Sequence, residues 1–152
     1  MIYTGYCRLS DFILEIRADK SALLSIRRVE KGGVECENDL VLQAKQELSE
    51  YAAGTRQTFS LPLRPAGTGF QQSVWQALLS VPYGETCCYI DIAALIGKPA
   101  AVRAAAQAIG RNPLLIVIPC HRVIGANGSL TGYGGGLDRK TLLLRLEREH
   151  RN

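Results

Sequence analysis

Leu114-Leu115-Ile116-Val117-Ile118-Pro119-Cys120-His121-Arg122-Val123 is the most informative run in the chain. Its five consecutive apolar residues, Leu114 to Ile118, predict a fully buried strand. Pro119 ends that strand, because proline has no backbone donor and a fixed φ. Cys120, His121 and Arg122 follow directly. A soft nucleophile, a base and a cation thus stand at the end of a rigid element, where a reactive group is held in place. A free thiol titrates at about 8.5, so the neighbouring imidazole and guanidinium are expected to lower that value and raise the thiolate fraction. Neighbours on an extended segment point to opposite faces, so His121 needs a water or a bend to reach the Cys120 sulfur. The alternative is a free cysteine acting as a small buried hydrophobe. The proline stop and the flanking ionisable groups weigh against it.

The 152 residues suffice for one compact domain or two small ones sharing an interface. No basic-then-apolar leader opens the chain, and no apolar run is long enough to cross a membrane. The five cysteines, Cys7, Cys36, Cys87, Cys88 and Cys120, are an odd number with no C-x-x-C spacing, and the only histidines are His121 and His150. Reduced thiols in a cytoplasmic protein are therefore expected, and a structural zinc site is not. The net charge of +4 is unevenly spread. Residues 1–60 hold 8 Lys and Arg against 9 Asp and Glu, whereas residues 61–152 hold 10 against 5. The basic excess lies in the half containing Cys120, which suits an anionic partner such as DNA as well as a solvated basic face.

Residues 1–37 read as β-structure. Phe12, Leu14 and Ile16 alternate with Ile13, Glu15 and Arg17, and Leu24 and Ile26 alternate with Ser25 and Arg27. Asn38 is placed to cap a helix carrying Val41, Ala44, Leu48 and Tyr51 on one face and ending near Gly54. Phe59, Leu61 and Leu63 predict one more short strand. Nothing in this part points to chemistry, so a supporting α/β domain over residues 1–63 is expected.

Arg64 to Gly69 is the natural linker. Thr68 is placed to cap a helix with Phe70, Val74, Leu78 and Leu79 as its apolar stripe, and Trp75 is read as core. Tyr89, Ile92, Ala93 and Ile96 predict a short helix closed by Gly97, and residues 100–109 predict a second. Two short helices joined by a Gly-containing turn form a helix-turn-helix pattern. The second is nearly all Ala and Val, with Arg103 its only charge. Such small side chains let a backbone come close to a neighbouring helix or to a narrow groove. A groove reader with Ala in place of Asn or Gln makes few base-edge hydrogen bonds, so little sequence preference is expected. Residues 124–136 are a Gly-rich loop with no Gly-Lys-Ser/Thr, so the phosphate-binding signature is absent. Asp138 is expected to cap a last helix with Leu142, Leu143 and Leu146 on its apolar face and Glu147 near the end of that face.

Pro119-Cys120-His121-Arg122-Val123 resembles the active-site motif of the O6-alkylguanine-DNA alkyltransferases, the methylated-DNA–protein-cysteine methyltransferases. The resemblance runs strongly from Leu61 to Glu149 through Pro82-Tyr83-Gly84-Glu85-Thr86, Tyr89, Arg103 and Asn112-Pro113, and only loosely before that. It implies a small α/β N-terminal domain, ribonuclease H-like, with an antiparallel sheet and a helix. A mainly α, winged-helix-like helix-turn-helix DNA-binding domain follows, over residues 64–152.

It further implies that Cys120 takes an alkyl group from O6 of a flipped guanine, or from O4-methylthymine, with no metal or other cofactor. Flipping is needed because the exocyclic group is otherwise inside the stack. In the implied relay Glu147 orients His121, His121 takes the Cys120 proton, and Tyr89 assists the departing guanine. Asn112, Val123, Tyr133 and Gly134 are implied at the base pocket. Backbone carbonyls of Cys120 and Val123 read the exocyclic amine, and Asn112 also ties the turn before the active site. Ala101, Arg103, Ala104, Ala105, Arg111 and Arg122 are implied at the DNA, in the minor groove, with Arg103 filling the gap left by the flipped nucleotide. The implied protein is a monomer acting on double-stranded DNA with no membrane attachment. Gly134 and Cys88 stand where many members have Ser, and Asp11-Phe12 where many have Ser-Pro-Leu-Gly. Two other readings remain at this point: a binder that flags alkylated DNA without repairing it, and an unrelated cysteine hydrolase.

Overall fold

The period-two apolar positions Phe12, Leu14, Ile16 and Ala18 give one strand a buried face on which its neighbours can build a sheet. The computed structural model describes residues 1–128 and 136–151. Its contacts divide the chain into two units, Met1–Ala66 and Gly67–Asn152. In the first, β1 (Tyr3–Leu9), β2 (Phe12–Ala18) and β3 (Leu23–Val29) form an antiparallel sheet in the order β1-β2-β3. Phe12, Leu14, Ile16 and Ala18 are buried along β2, as their alternation predicts. On β3 the expected pair was Leu24 and Ile26, but the buried residues are Leu23 and Ile26. The register slips opposite Arg17 and Ala18, and Ala18 pairs with Leu23, leaving Leu24 as an extra residue. One inserted residue reverses the in–out alternation beyond it.

Helix α1 (Asp39–Ala52) is capped by Asn38, whose side chain accepts the Val41 amide at 3.0 Å. Its buried Val41, Ala44, Leu48 and Tyr51 pack on β1 and β2. At Gly5 a β-carbon would lie 2.5 Å from Val41 Cγ1, so glycine is what lets α1 lie this close to β1. The strand expected around Phe59 to Leu63 is reduced to a single bridge between Leu23 and Leu63. Pro62 has no N–H with which to extend it.

The second unit opens with α2 (Gly69–Leu78) under a capping box: Thr68 accepts the Gln71 amide at 3.1 Å and Gln71 Oε1 accepts the Thr68 amide at 2.9 Å. Strand β4 (Cys87–Cys88), α3 (Tyr89–Leu95) and α4 (Val102–Gly110) follow. Asp91 accepts the Cys88 amide at 2.8 Å, which places Cys88 at the N-cap of α3. The turn between α3 and α4 uses Gly97 at φ +75°, a conformation glycine adopts without a steric penalty. Helices α2, α3 and α4 pack on one another. Trp75 is core, as read, and its Nε1 donates to Ala108 O at 2.8 Å, tying α2 to α4.

Residues Leu114 to Ile118 are all buried, but they are not the strand expected. They close a compact turn in which Ile118 N donates to Leu114 O at 3.0 Å. Ile116 takes φ +72°, a left-handed conformation that a β-branched residue rarely adopts. A 3-10 turn at Cys120–Arg122 then leads into β5 (Val123–Ile124), which pairs in parallel with β4. Helix α5 (Leu137–His150) begins at Leu137 with Gly136 at the cap position, so Asp138 lies in its first turn instead of capping it. A carboxylate there still faces the positive end of the helix. Only Lys140, Leu143 and Glu147 are buried along α5; Leu142 and Leu146 are half-exposed.

Trp75→Phe keeps most of the ring's packing but leaves the Ala108 carbonyl without its indole donor. The expected cost is about 1–3 kcal/mol of unfolding free energy, read by urea denaturation.

Candidate active site

Asn112 shapes the segment that carries the sulfur. Its Oδ1 accepts the Leu114 amide at 2.9 Å, and its Nδ2 donates to Ile118 O at 2.8 Å and to Cys120 Sγ at 3.1 Å. The side chain thus supplies the bonds a strand would find in a ladder, which is why five apolar residues fold into a turn. With these bonds made, the Asn112 side chain is placed to hold the turn and the sulfur. These bonds tie the turn before Cys120, as the resemblance implied.

Behind the sulfur lies a buried ionic cluster. The Cys120–Arg122 turn points His121 and Arg122 at Glu147 of α5. His121 Nε2 is 2.6 Å from Glu147 Oε2, and Arg122 donates to Oε1 at 2.8 Å and to Oε2 at 3.1 Å. The Gly84 amide donates to Glu147 Oε1 at 3.1 Å, and Arg122 Nη1 donates to Val81 O at 2.7 Å. Arg122 is 6% exposed, so its assignment to a DNA surface is corrected: the guanidinium is spent on Glu147. Burial alone raises the Glu147 pKa, but His121 and Arg122 outweigh it and hold the carboxyl well below the usual carboxylate range. Burial lowers the His121 pKa, only partly offset by Glu147. A neutral imidazole that gives its Nε2–H to the carboxylate keeps Nδ1 as a proton acceptor.

Cys120 is 3% exposed, and burial pushes its thiol up to about 11, against the opposing pull of Asn112 and the Lys140 charge. The expectation of a depressed thiol pKa is therefore corrected. Desolvation exceeds the effect of the neighbouring groups, since Arg122 is already neutralised by Glu147.

Lys140 is the residue that sequence reasoning missed. It is 1% exposed, and its Nζ donates to Val123 O at 2.6 Å. Its ammonium also acts on Cys120. Lys140, Leu143 and Glu147 stand at i, i+3 and i+7, one helical face, so the 3.6 period was the available signal. The Val123 carbonyl keeps a second lone pair for a ligand. Tyr133 and Gly134 lie outside the described residues.

Tyr89 starts α3 half-buried. On α4, Arg103, Ala104 and Gln107 are exposed, as is Arg111 at its C-cap, and Ala101 is half-exposed. Ala105 is fully buried against the neighbouring helices, which corrects its place on the outer face. Gln107 was not counted among the groove-facing residues, yet it shares the open face with Arg103. Among the described residues no group of three or more His, Cys, Asp or Glu is placed to hold a metal ion, and no helix is long and apolar enough to cross a membrane.

Residues 69–149 match the family described as 6-O-methylguanine DNA methyltransferase, DNA binding domain. The chain is 60% identical over 102 residues to an inducible methylated-DNA–protein-cysteine methyltransferase of Bacillus subtilis (strain 168). That match covers 67% of this chain and 57% of the relative, so the chain spans less than two thirds of that relative's length. Among solved structures, Mycobacterium tuberculosis O6-methylguanine methyltransferase superposes with a TM-score of 0.91 at 40% identity, covering 100% of this chain and 96% of that one. Mycobacterium tuberculosis OGT in complex with DNA superposes with a TM-score of 0.87 at 42% identity, covering 98% and 93%.

With its thiol pushed up to about 11, Cys120 is expected to react with iodoacetamide far more slowly than the exposed Cys36 at pH 7.5, and to accelerate as pH rises through that value. Site-resolved mass spectrometry across pH measures both rates. A Cys120 rate that is fast and flat from pH 6 upward would contradict the protonated thiol.

Proposed function

This chain belongs to the 6-O-methylguanine DNA methyltransferase family, and we propose that it repairs alkylated DNA by moving the alkyl group from O6 of a flipped-out guanine onto Cys120, once per molecule. One observation carries the reading: a buried thiol stands in one short turn with His121, which is locked 2.6 Å from Glu147. This is the order of nucleophile, base and orienting acid that activates a weak nucleophile.

In the proposed reaction His121 Nδ1 takes the Cys120 proton, directly or through a water. The sulfur attacks the alkyl carbon in line, the carbon–O6 bond breaks, and its electron pair goes to the guanine. The Tyr89 phenol donates to the guanine ring and improves it as a leaving group. The product thioether has no good leaving group, so the protein is consumed. Because the resting thiol is protonated, proton removal accompanies attack, and the Glu147 carboxylate stabilises the imidazolium that forms. Lys140 favours the thiolate as it develops and holds the Val123 carbonyl in place. Carbonyls of Cys120 and Val123 accept from the exocyclic amine.

The proposed architecture is a ribonuclease H-like support over residues 1–63 and a winged-helix-like domain over 64–152, with α3 and α4 as its helix-turn-helix. Helix α4 enters the minor groove of double-stranded DNA, where Ala101 and Ala104 allow close approach. Arg103 occupies the vacated stack, a place suited to a flat guanidinium that both stacks and hydrogen-bonds. Arg111 lies near a phosphate. Monomeric action and a cytoplasmic location complete the reading, and O4-methylthymine is a second substrate under it.

Incubation with O6-methylguanine duplex is expected to add one methyl to the protein, mapped by mass spectrometry to Cys120. Cys120→Ser is expected to abolish transfer and keep DNA binding. A methyl on another residue, or transfer by Cys120→Ser, would refute the assignment. Arg103→Ala is expected to slow repair of duplex DNA by about 10-fold or more and to leave reaction with free O6-benzylguanine within about twofold. Equal losses on both substrates would remove Arg103 from base flipping.

A further inference from the structure

Helix α4 has two chemically different sides. Ala105, Ala108 and Ile109 are buried, and Trp75 fastens this side to α2. The other side exposes Arg103 and Gln107, with Arg111 following at the C-cap. These three stand at i, i+4 and i+8 and so form one ridge. None of the three side chains has a hydrogen-bond or ion-pair partner among the described residues. Elsewhere in the same unit, Arg122 is held by Glu147 and Arg151 by the Gly84 carbonyl. No acidic residue lies on α4 to engage the ridge. Under the proposed function Arg103 enters the vacated stack and Arg111 lies near a phosphate, so the neutral amide between them, with no partner among the described residues, is left to face base edges.

The helix rises roughly 6 Å over four residues, and stacked base pairs are about 3.4 Å apart. With α4 laid along the groove as proposed, Gln107 would lie within about two base-pair steps of Arg103. At the minor-groove edge every base pair offers acceptors, and G·C adds the guanine N2 donor. A glutamine amide both donates and accepts, so it engages a G·C pair through two bonds and an A·T pair through donation alone.

We infer that Gln107 is a specificity-determining residue: it reads a base pair one or two steps from the extruded guanine and favours G·C there. The inference rests on the repair function proposed above. It replaces the sequence-independent binding expected of an all-small helix with a short-range preference.

The test is single-turnover repair of O6-methylguanine duplexes that differ only in the base pairs one and two steps to either side of the lesion. Wild-type rate constants are expected to span about fivefold across the series, fastest with G·C at the read position, as one extra base-edge contact confers. Gln107→Ala is expected to flatten the series to within about twofold. It is also expected to leave the rate with free O6-benzylguanine unchanged, which shows that the fold and the thiol are intact. Gln107→Glu is expected to slow duplexes with A·T at the read position most and so to widen the series, since a carboxylate meets only acceptors at A·T and can still accept from the guanine amine at G·C. A flat wild-type series, or the wild-type preference persisting in Gln107→Ala, overturns the inference. Absence of any methyl transfer by the wild-type protein overturns the repair function instead.

Discussion

A buried carboxylate cannot stand alone: uncompensated, its charge costs several kcal/mol. Glu147 is 1% exposed and meets that demand through His121, two nitrogens of Arg122 and the Gly84 amide. These bonds draw three separate pieces of chain together: α5, the Cys120–Arg122 turn, and the segment from Val81 to Gly84. The position of the sulfur follows from that convergence. The imidazole of His121, next in the chain, is held in orientation by the same carboxylate. Arg122 explains why one acid suffices for two tasks. It neutralises Glu147 and anchors on Val81 O, so the carboxylate does not need a protonated His121 to be stable.

The packing that positions Cys120 also strips it of water. Burial raises the thiol while Asn112 and Lys140 pull the other way, and burial wins. Under the proposed reaction this is a resting state in which the proton stays on the sulfur until a base lies against it and His121 can accept. The turn beneath is held under strain. Ile116 sits at φ +72°, a cost of about 1–3 kcal/mol, and it persists because the Asn112 amide and the buried apolar neighbours leave no relaxed alternative.

Helix α4 separates structure from recognition by face alone. Its inner alanines allow close packing with α2 and α3, and its outer face leaves Arg103 and Gln107 without partners among the described residues, with Arg111 just beyond. The same small residues thus serve two purposes on opposite sides. Which alanine serves which is decided by the direction the helix faces, and Ala105 faces the core.

Much of this protein is legible in residue order. Alternation marks β2, Asn38 and Thr68 mark helix starts, and Pro119 marks the end of the apolar run before Cys120, because each of these signals acts within a few residues. Other features depend on distant parts of the chain. The bulge that buries Leu23 instead of Leu24 is set by pairing with β2. The apolar run Leu114 to Ile118 became a turn because the Asn112 side chain and bonds within the turn, not another strand, satisfy its backbone groups. Arg122 reads as a surface cation until Glu147, twenty-five residues on, accepts it. Lys140 reads as solvated until Val123 meets it. Local order specified which groups are present and how each short segment bends. The tertiary fold alone decided which charges lie in water and which are buried and paired, because desolvation and pairing depend on neighbours that no local stretch contains.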